Sequence, residues 1–385
     1  MDFVREHLAE LDRRGLHRRL REVESAQDRS ITIGGREVLC FCSNNYLGLA
    51  NDPALKRAAI QAIERFGTGS GASRLICGNL SLHRQLERAI AQLKGTEDAI
   101  LFPSGYAANI GAIPALVGPG DAVIIDRLNH ASIVDGCRLS GARLLVYPHS
   151  DVAKLERLLR RRGQFRRVLI VTDGVFSMDG DLAPLAEIAD IARRFGALTM
   201  VDDAHATGVL GPSGGGTLEQ LGLAGRIDIV MGTLSKAVGS IGGFVAGSGE
   251  LVEYLRNAAR AFIYTTALPP GDCAAALEGL RIIREQPARR ERLWHHAQRI
   301  REAFCAAGLD CGRSTTPIIP LIVGEADRAV ALSERLLERG ILAVAIRPPT
   351  VPEGTSRLRL TPIATHTDED VDRLIEAVLA LTRRR

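Results

Sequence analysis

Aromatic residues make up only 4% of this 385-residue chain, and 49 Lys and Arg against 45 Asp and Glu leave a formal charge of just +4. A nucleic-acid-binding face needs concentrated basic residues interleaved with stacking aromatics, and both scarcities argue against one. The basic runs Arg160-Arg161-Arg162 and Arg383-Arg384-Arg385 fall near expected helix ends or the terminus. The small positive excess suits an anionic small molecule such as a phosphate or carboxylate. No apolar run approaches the ~20 residues of a membrane span. Residues 1–24 are charged throughout, with no apolar segment of a secretory signal, and Asp2, Glu6, Glu10 and Asp12 disfavour a mitochondrial transit segment. No nucleic acid, no membrane and a cytoplasmic location are therefore expected. The seven cysteines are scattered and odd in number, which fits reduced thiols. Cys40 and Cys42 alternate on an apolar run and read as core, and no zinc-ligand spacing is present, so no metal is expected.

Hydrophobic content of 46% and charged content of 24% are those of an ordinary globular enzyme. The length exceeds the about 250–300 residues at which one core stops growing, so a large and a small domain are expected. Residues 3–24 read as an amphipathic helix with Val4, Leu8 and Leu11 on one face, and 31–41 as a hairpin turning at Gly34-Gly35. Together they suggest an N-terminal arm over 1–45, followed by a large domain over 46–285 and a small one over 286–385. From Asp121 the pattern alternates. Strands at 122–125, 143–147, 168–172, 197–201 and 227–231 are separated by helical segments, clearest at 151–162 and 185–195. This is the α/β pattern of a mostly parallel sheet covered by helices on both faces. Helices are expected at 250–264 and 274–301. Strands at 316–323 and 341–346 and helices at 327–339 and 368–383 describe a small α+β domain.

Ligands of such sheets bind at the carboxyl ends of strands. Asp173, Ser177, Asp202, His205, Thr233 and Lys236 all fall at or just beyond such ends. Lys236 follows the apolar run Ile227-Asp228-Ile229-Val230-Met231 and opens a glycine-rich loop, although most lysines are solvated surface charges. An amine, a carboxylate and an imidazole are what a pyridoxal phosphate (PLP) site needs: a lysine to join the aldehyde and an acid to keep the pyridine nitrogen protonated. The strand Ala99-Ile100-Leu101-Phe102 turns into a helix at Pro103-Ser104-Gly105-Tyr106, which offers backbone N–H groups and a positive dipole end to a phosphate. The stretch from Gly67 to Arg74 follows a helix, not a strand, so it is not a dinucleotide fingerprint. It reads as a flexible or ligand-approaching loop.

Ser43-Asn44-Asn45-Tyr46-Leu47-Gly48-Leu49, Ser104-Gly105-Tyr106-Ala107-Ala108-Asn109, Asn129-His130-Ala131-Ser132, Gly174-Val175-Phe176-Ser177-Met178-Asp179-Gly180-Asp181, Asp202-Asp203-Ala204-His205, Thr233-Leu234-Ser235-Lys236 and Arg357-Leu358-Arg359-Leu360 occur in one order across residues 43–360. In these the chain resembles the α-oxoamine synthases of the fold-type I PLP enzymes. The resemblance implies that Lys236 carries the cofactor and then acts as base, that Asp202 pairs with the pyridine nitrogen, and that His205 and Ser177 bond the ring oxygen. His130 would stack on the ring. Gly105, Tyr106 and Thr233 would hold the phosphate or its surroundings, and Thr265 and Thr266 would reach the phosphate of a second subunit, implying a homodimer. Substrate contacts would come from Arg359, which offers a bidentate guanidinium to a carboxylate, and from Asn44, His130, Thr350 and Arg18.

For several of these, ordinary structural roles compete: His130 as a helix cap, Ser177 as a turn, Arg359 as a strand arginine beside Arg357, and Asp203 as a polar neighbour in place of a metal ligand. The reaction implied is a decarboxylating condensation of an amino acid with an acyl thioester. Ala345-Ile346-Arg347-Pro348-Pro349-Thr350-Val351-Pro352 resembles the biotin-pathway branch, which joins L-alanine to pimeloyl-CoA or a pimeloyl carrier protein. A branch joining glycine to acetyl-CoA, or another glycine user, is the alternative. Asp173 stands where these enzymes commonly have glutamate, one methylene longer.

Overall fold

A computed structural model of the chain describes residues 1–13, 16, 17 and 20–382, so Arg18 lies outside the described residues. The chain forms two compact units. The larger holds Asn44–Ser177 and Asp181–Arg292, and the smaller holds Met1–Ser43, Met178–Gly180 and Leu293–Arg385.

In the smaller unit, β1 (Ser30–Ile33) and β2 (Arg36–Cys40) form the expected hairpin, with Gly34 and Gly35 at positive φ in the turn. The helix expected over 3–24 ends at Arg13 and buries none of its side chains. Gly15 interrupts the apolar spacing in the sequence, and a stripe with no fully buried side chain gives a longer helix little support.

The larger unit contains β3 (Asp98–Phe102), β4 (Ala122–Asp126), β5 (Arg143–Tyr147), β6 (Val168–Asp173), β7 (Leu198–Asp202), β8 (Ile229–Thr233) and β9 (Gly243–Gly247). They make one sheet in the order β3-β9-β8-β7-β6-β4-β5. Strands β4 to β8 run parallel, whereas β9 is antiparallel to both its neighbours. Every residue of β4 and β6 is buried, as central parallel strands require. Alternate residues feed two cores: Val123, Ile125, Leu169 and Val171 on one face, Ile124, Ile170, Val201 and Val230 on the other. Each such side chain contributes about 1.5–3 kcal/mol by leaving water. Strand β9 escaped the sequence reading because glycines at both ends hide a three-residue apolar centre.

Two helices expected as continuous are broken. The segment expected over 274–301 divides into Pro270–Glu285 and Pro287–Ala306, because Pro287 holds Gln286 out of the helical region at φ −122° and ψ 68°. The segment expected over 250–264 divides at Ala259 into Gly249–Ala258 and Arg260–Ile263.

The smaller unit is completed by β10 (Ile319–Gly324), β11 (Ile341–Leu342), β12 (Val344–Ile346) and β13 (Ser356–Leu360). One strand was expected over 341–346, but its halves join different sheets: β11 pairs with β2, and β12 with β13 in the antiparallel order β10-β13-β12. The apolar run continues through Ala343, which is fully buried, so periodicity alone gives no sign of the switch. Leu39, Phe41, Phe304, Leu321, Leu358 and Leu374 share its core. Among the described residues no helix is long and apolar enough to cross a membrane.

Candidate active site

Three neighbouring parallel strands of the larger unit deliver their last residues side by side. Asp173 ends β6 and pairs in register with Asp202, which ends β7, while Thr233 ends β8 three residues before Lys236. Lys236 Nζ lies 2.9 Å from His205 Nε2, and His205 Nδ1 lies 2.8 Å from the buried Tyr46 hydroxyl. As an ammonium, Lys236 has only hydrogens to give, so Nε2 accepts and a neutral His205 carries its proton on Nδ1, donating to Tyr46.

The Asp202 carboxylate is held on both oxygens. Oδ1 accepts the Ala204 N–H at 3.0 Å, and Oδ2 accepts from Asn109 Nδ2 at 2.9 Å. The same Asn109 amide donates to Ser132 Oγ, also at 2.9 Å, and Ser132 Oγ is 2.7 Å from His130 Nδ1. His130 is a helix cap, as one reading of the sequence had it: its ring accepts the Ser132 N–H and begins helix Ala131–Ser140. Capping fixes the ring's orientation, and burial lowers its pKa, favouring a neutral imidazole. The His130 N–H donates to Asp173 Oδ2 at 2.9 Å. Burial, then the adjacent Asp202 charge, push the Asp173 carboxyl well above the usual carboxylate range. Asp173 thus braces His130 from behind.

Asp203, the acid next to Asp202, is engaged by protein groups. It forms a buried ion pair with Lys94 at 2.6 Å and accepts the N–H and hydroxyl of Thr217. Lys94 Nζ also donates to Thr207 Oγ1 and the Gly215 carbonyl, both at 2.8 Å, so the turn bearing Asp202 and His205 is anchored from both sides.

Helix Gly105–Leu116 starts beside β8 with Ser104 as its cap, accepting the Ala107 N–H at 3.1 Å. A Cβ on Gly105 would stand 3.2 Å from Met231 Cε and 3.4 Å from Thr233 Cβ, so glycine lets the helix start lie against the strand end. A Cβ on Gly243 would lie 2.3 Å from the Ser104 carbonyl oxygen. Gly243→Ala is therefore expected to displace this helix start, costing about 1–3 kcal/mol in stability and weakening cofactor retention on dialysis. Unchanged retention would show that the helix start holds nothing. The Tyr106 side chain is 46% exposed and its hydroxyl bonds Asp135, while its backbone N–H lies in the first turn of the helix. Thr233 Oγ1 donates to the Gly242 carbonyl at 2.8 Å and lies 2.8 Å from Ser235 Oγ.

Ser177 and Asn44 are half-buried in the same unit. Thr265 is half-buried and Thr266 exposed, and Thr266 bridges to Ser73, pinning the glycine-rich 67–74 loop. Arg359 lies in the smaller unit on β13, buried like Arg357, so neither is a surface arginine. Arg357 is engaged by Asp179 at 2.6 Å. Thr350 is exposed in a turn of the same unit, its N–H donating to the Arg347 carbonyl at 3.1 Å.

His149 stands between Asp126 at 3.1 Å and Asp181 at 2.8 Å, with its ring edge-on to Phe176. Burial favours the neutral ring, but the two carboxylates outweigh it and push the pKa up to about 10. A raised folded-state value makes the stabilisation complete below the unfolded pKa of about 6.5 and lost as pH rises toward 10. The melting-temperature gap between wild type and His149→Gln is expected to close across that window. A gap independent of pH would exclude the imidazolium.

Sequence reasoning missed Tyr46, Asn109, Ser132 and Lys94. A signal existed for Asn109, a lone amide in the otherwise apolar Gly105–Leu116 helix; none marked Lys94, whose partner is 109 residues away.

The arrangement supplies an amine, a fixed carboxylate, an oriented imidazole and a helix N-terminus at the carboxyl ends of neighbouring central strands, a donor set that fits a phosphorylated pyridine aldehyde. Residues 36–378 match the family model for aminotransferase class I and II. The chain belongs to the aminotransferase class I and II family. Within this family it is 54% identical to an 8-amino-7-oxononanoate synthase of Geobacter metallireducens, over 98% of this chain and 97% of the relative. Among solved structures, a serine palmitoyltransferase from S. paucimobilis with a bound PLP–myriocin aldimine superposes with a TM-score of 0.93 at 34% identity, covering 98% of this chain and 96% of that one. The 8-amino-7-oxononanoate synthase of Francisella tularensis gives 0.78 at 29% identity, over 89% and 97%. The fold-type I architecture expected from the sequence is the one these family members share.

Proposed function

We propose that this protein is a PLP-dependent acyltransferase of biotin biosynthesis, condensing L-alanine with a pimeloyl thioester to give 8-amino-7-oxononanoate, CO2 and free thiol. Near-full-length identity of 48% to 55% to proteins of that name carries the reading. PLP, when bound, supplies an aldehyde to join an amine and a protonated ring that takes up the electron pair released at Cα.

The chain's own residues do the rest. Lys236 Nζ holds the cofactor at rest and, once alanine replaces it, accepts the Cα proton. With Lys236 joined to the cofactor, Nε2 of His205 would carry the imidazole proton and donate it to the ring oxygen, Nδ1 then accepting from the Tyr46 hydroxyl. Asp202, fixed by Asn109 and Ala204, keeps the ring nitrogen protonated. His130 offers a neutral ring face, and Ser177 and His205 hold the ring oxygen. The N–H groups of Gly105 and Tyr106, with Thr233, hold the phosphate. Cα would then bond the thioester carbonyl carbon as the C–S bond breaks, the thiolate taking a proton from solvent; the β-keto carboxylate would lose CO2, and Lys236 would return the Cα proton to the carbon left behind. By the family resemblance, Arg359 would take the alanine carboxylate, and Asn44 and Thr350 would contact substrate. Arg18 is assigned the distal carboxylate of the pimeloyl chain on the family resemblance alone. The active form is a cytoplasmic homodimer in which Thr265 and Thr266 reach the partner's phosphate.

Thiol release by the PLP-loaded protein with L-alanine and pimeloyl-CoA, beside glycine and acetyl-CoA, tests the substrate assignment. Preference for the first pair is expected. Preference for the second would move the protein to the glycine-using branch.

A further inference from the structure

In the smaller unit, His295 and His296 on helix Pro287–Ala306 meet Asp368, the first residue of helix Asp368–Thr382. One nitrogen of each histidine and one Asp368 oxygen lie within 4.8 Å of one another. His295 Nε2 is 3.6 Å and His296 Nδ1 3.8 Å from Asp368 Oδ1.

The His296 ring is already oriented for coordination. Its Nε2 is 2.9 Å from the His366 carbonyl oxygen, which can only accept, so Nε2 carries the hydrogen and Nδ1 presents its lone pair toward Asp368. A carbonyl holding the far nitrogen of a histidine is the usual outer support of a metal ligand. His295 and Asp368 are both exposed, giving an ion a path from solvent, whereas His296 is buried. Two imidazoles and a carboxylate suit a divalent transition ion such as Zn2+, with water completing the shell.

Arg299 is the competitor. Its Nη1 donates to Asp368 Oδ1 at 2.7 Å, but its Nη2 has a second carboxylate, Asp372, at 2.6 Å. Arg299 can release Asp368 and keep a partner.

We infer that His295, His296 and Asp368 form a site for a zinc-type divalent ion that ties helix Asp368–Thr382 to helix Pro287–Ala306, with Arg299 as the cation it displaces. The site needs no part of the catalytic machinery. Zn2+ titration of the cofactor-loaded enzyme against a chromophoric chelator tests it, with His295→Ala, Asp368→Asn and Arg299→Gln in parallel. His295→Ala and Asp368→Asn are expected to weaken binding by at least about tenfold, while Arg299→Gln tightens it. Zn2+ should raise the melting temperature of wild type but not of the two ligand variants, whose ion-free melting temperatures and turnover match wild type. Equal affinity in all four proteins would place the ion elsewhere, for instance on the exposed thiols of Cys77 or Cys305, and overturn the site. Failure of wild type to compete for micromolar Zn2+ would overturn it equally.

Discussion

Lys236→Ala protein folds normally but loses thiol release by at least about 10⁴-fold, since both the covalent anchor and the general base are gone. The fold survives because Lys236 is only half-buried in a loop beyond β8. Its removal leaves the His205–Tyr46 hydrogen bond in place, and no apolar core atom is lost. The visible absorption of bound PLP should shift or vanish while the melting transition of the cofactor-free protein stays where it was. Turnover within tenfold of wild type would mean that another group takes the proton.

Lys94→Met is expected to cost about 3–5 kcal/mol of stability, the effect of leaving one member of a buried pair uncompensated. The side chains of Lys94 and Asp203 are 2% and 1% exposed, so the orphaned carboxylate would have little water to turn to. Thr217 still donates two hydrogen bonds to Asp203 Oδ1, but Oδ2 loses its ammonium. Activity should fall as well, because Asp202 and His205 flank Asp203 in one turn. Urea unfolding of wild type, Lys94→Met and the double variant Lys94→Met/Asp203→Leu measures this. The double variant should recover part of the loss, since it removes the stranded charge. A loss below 1 kcal/mol in the single variant would contradict the assigned pair.

The parallel sheet and the positions of Asp202, Thr233 and Lys236 were legible because strands buried on both faces print as uninterrupted apolar runs, and chemistry collects at their carboxyl ends. Boundaries near proline and glycine were less so. Pro287 divides a helix whose apolar spacing continues across it, and the glycines of β9 hide a strand that is antiparallel in a parallel neighbourhood. The supporting contacts of the site were least legible. Asn109 reaches Asp202 across 93 residues and Tyr46 reaches His205 across 159, so only the folded chain pairs them. Spacing rules likewise gave no sign of His295, His296 and Asp368, which two separate helices bring together.

The chain has four lysines, Lys56, Lys94, Lys154 and Lys236. That makes the attachment of the cofactor the most direct test of the proposed site. Borohydride reduction of the PLP-loaded protein, followed by peptide mapping by mass spectrometry, reports which amine the cofactor has joined. The geometry around His205 and Asp202 predicts the reduced adduct on Lys236 alone. An adduct on Lys56, Lys94 or Lys154, or none at all, would contradict it.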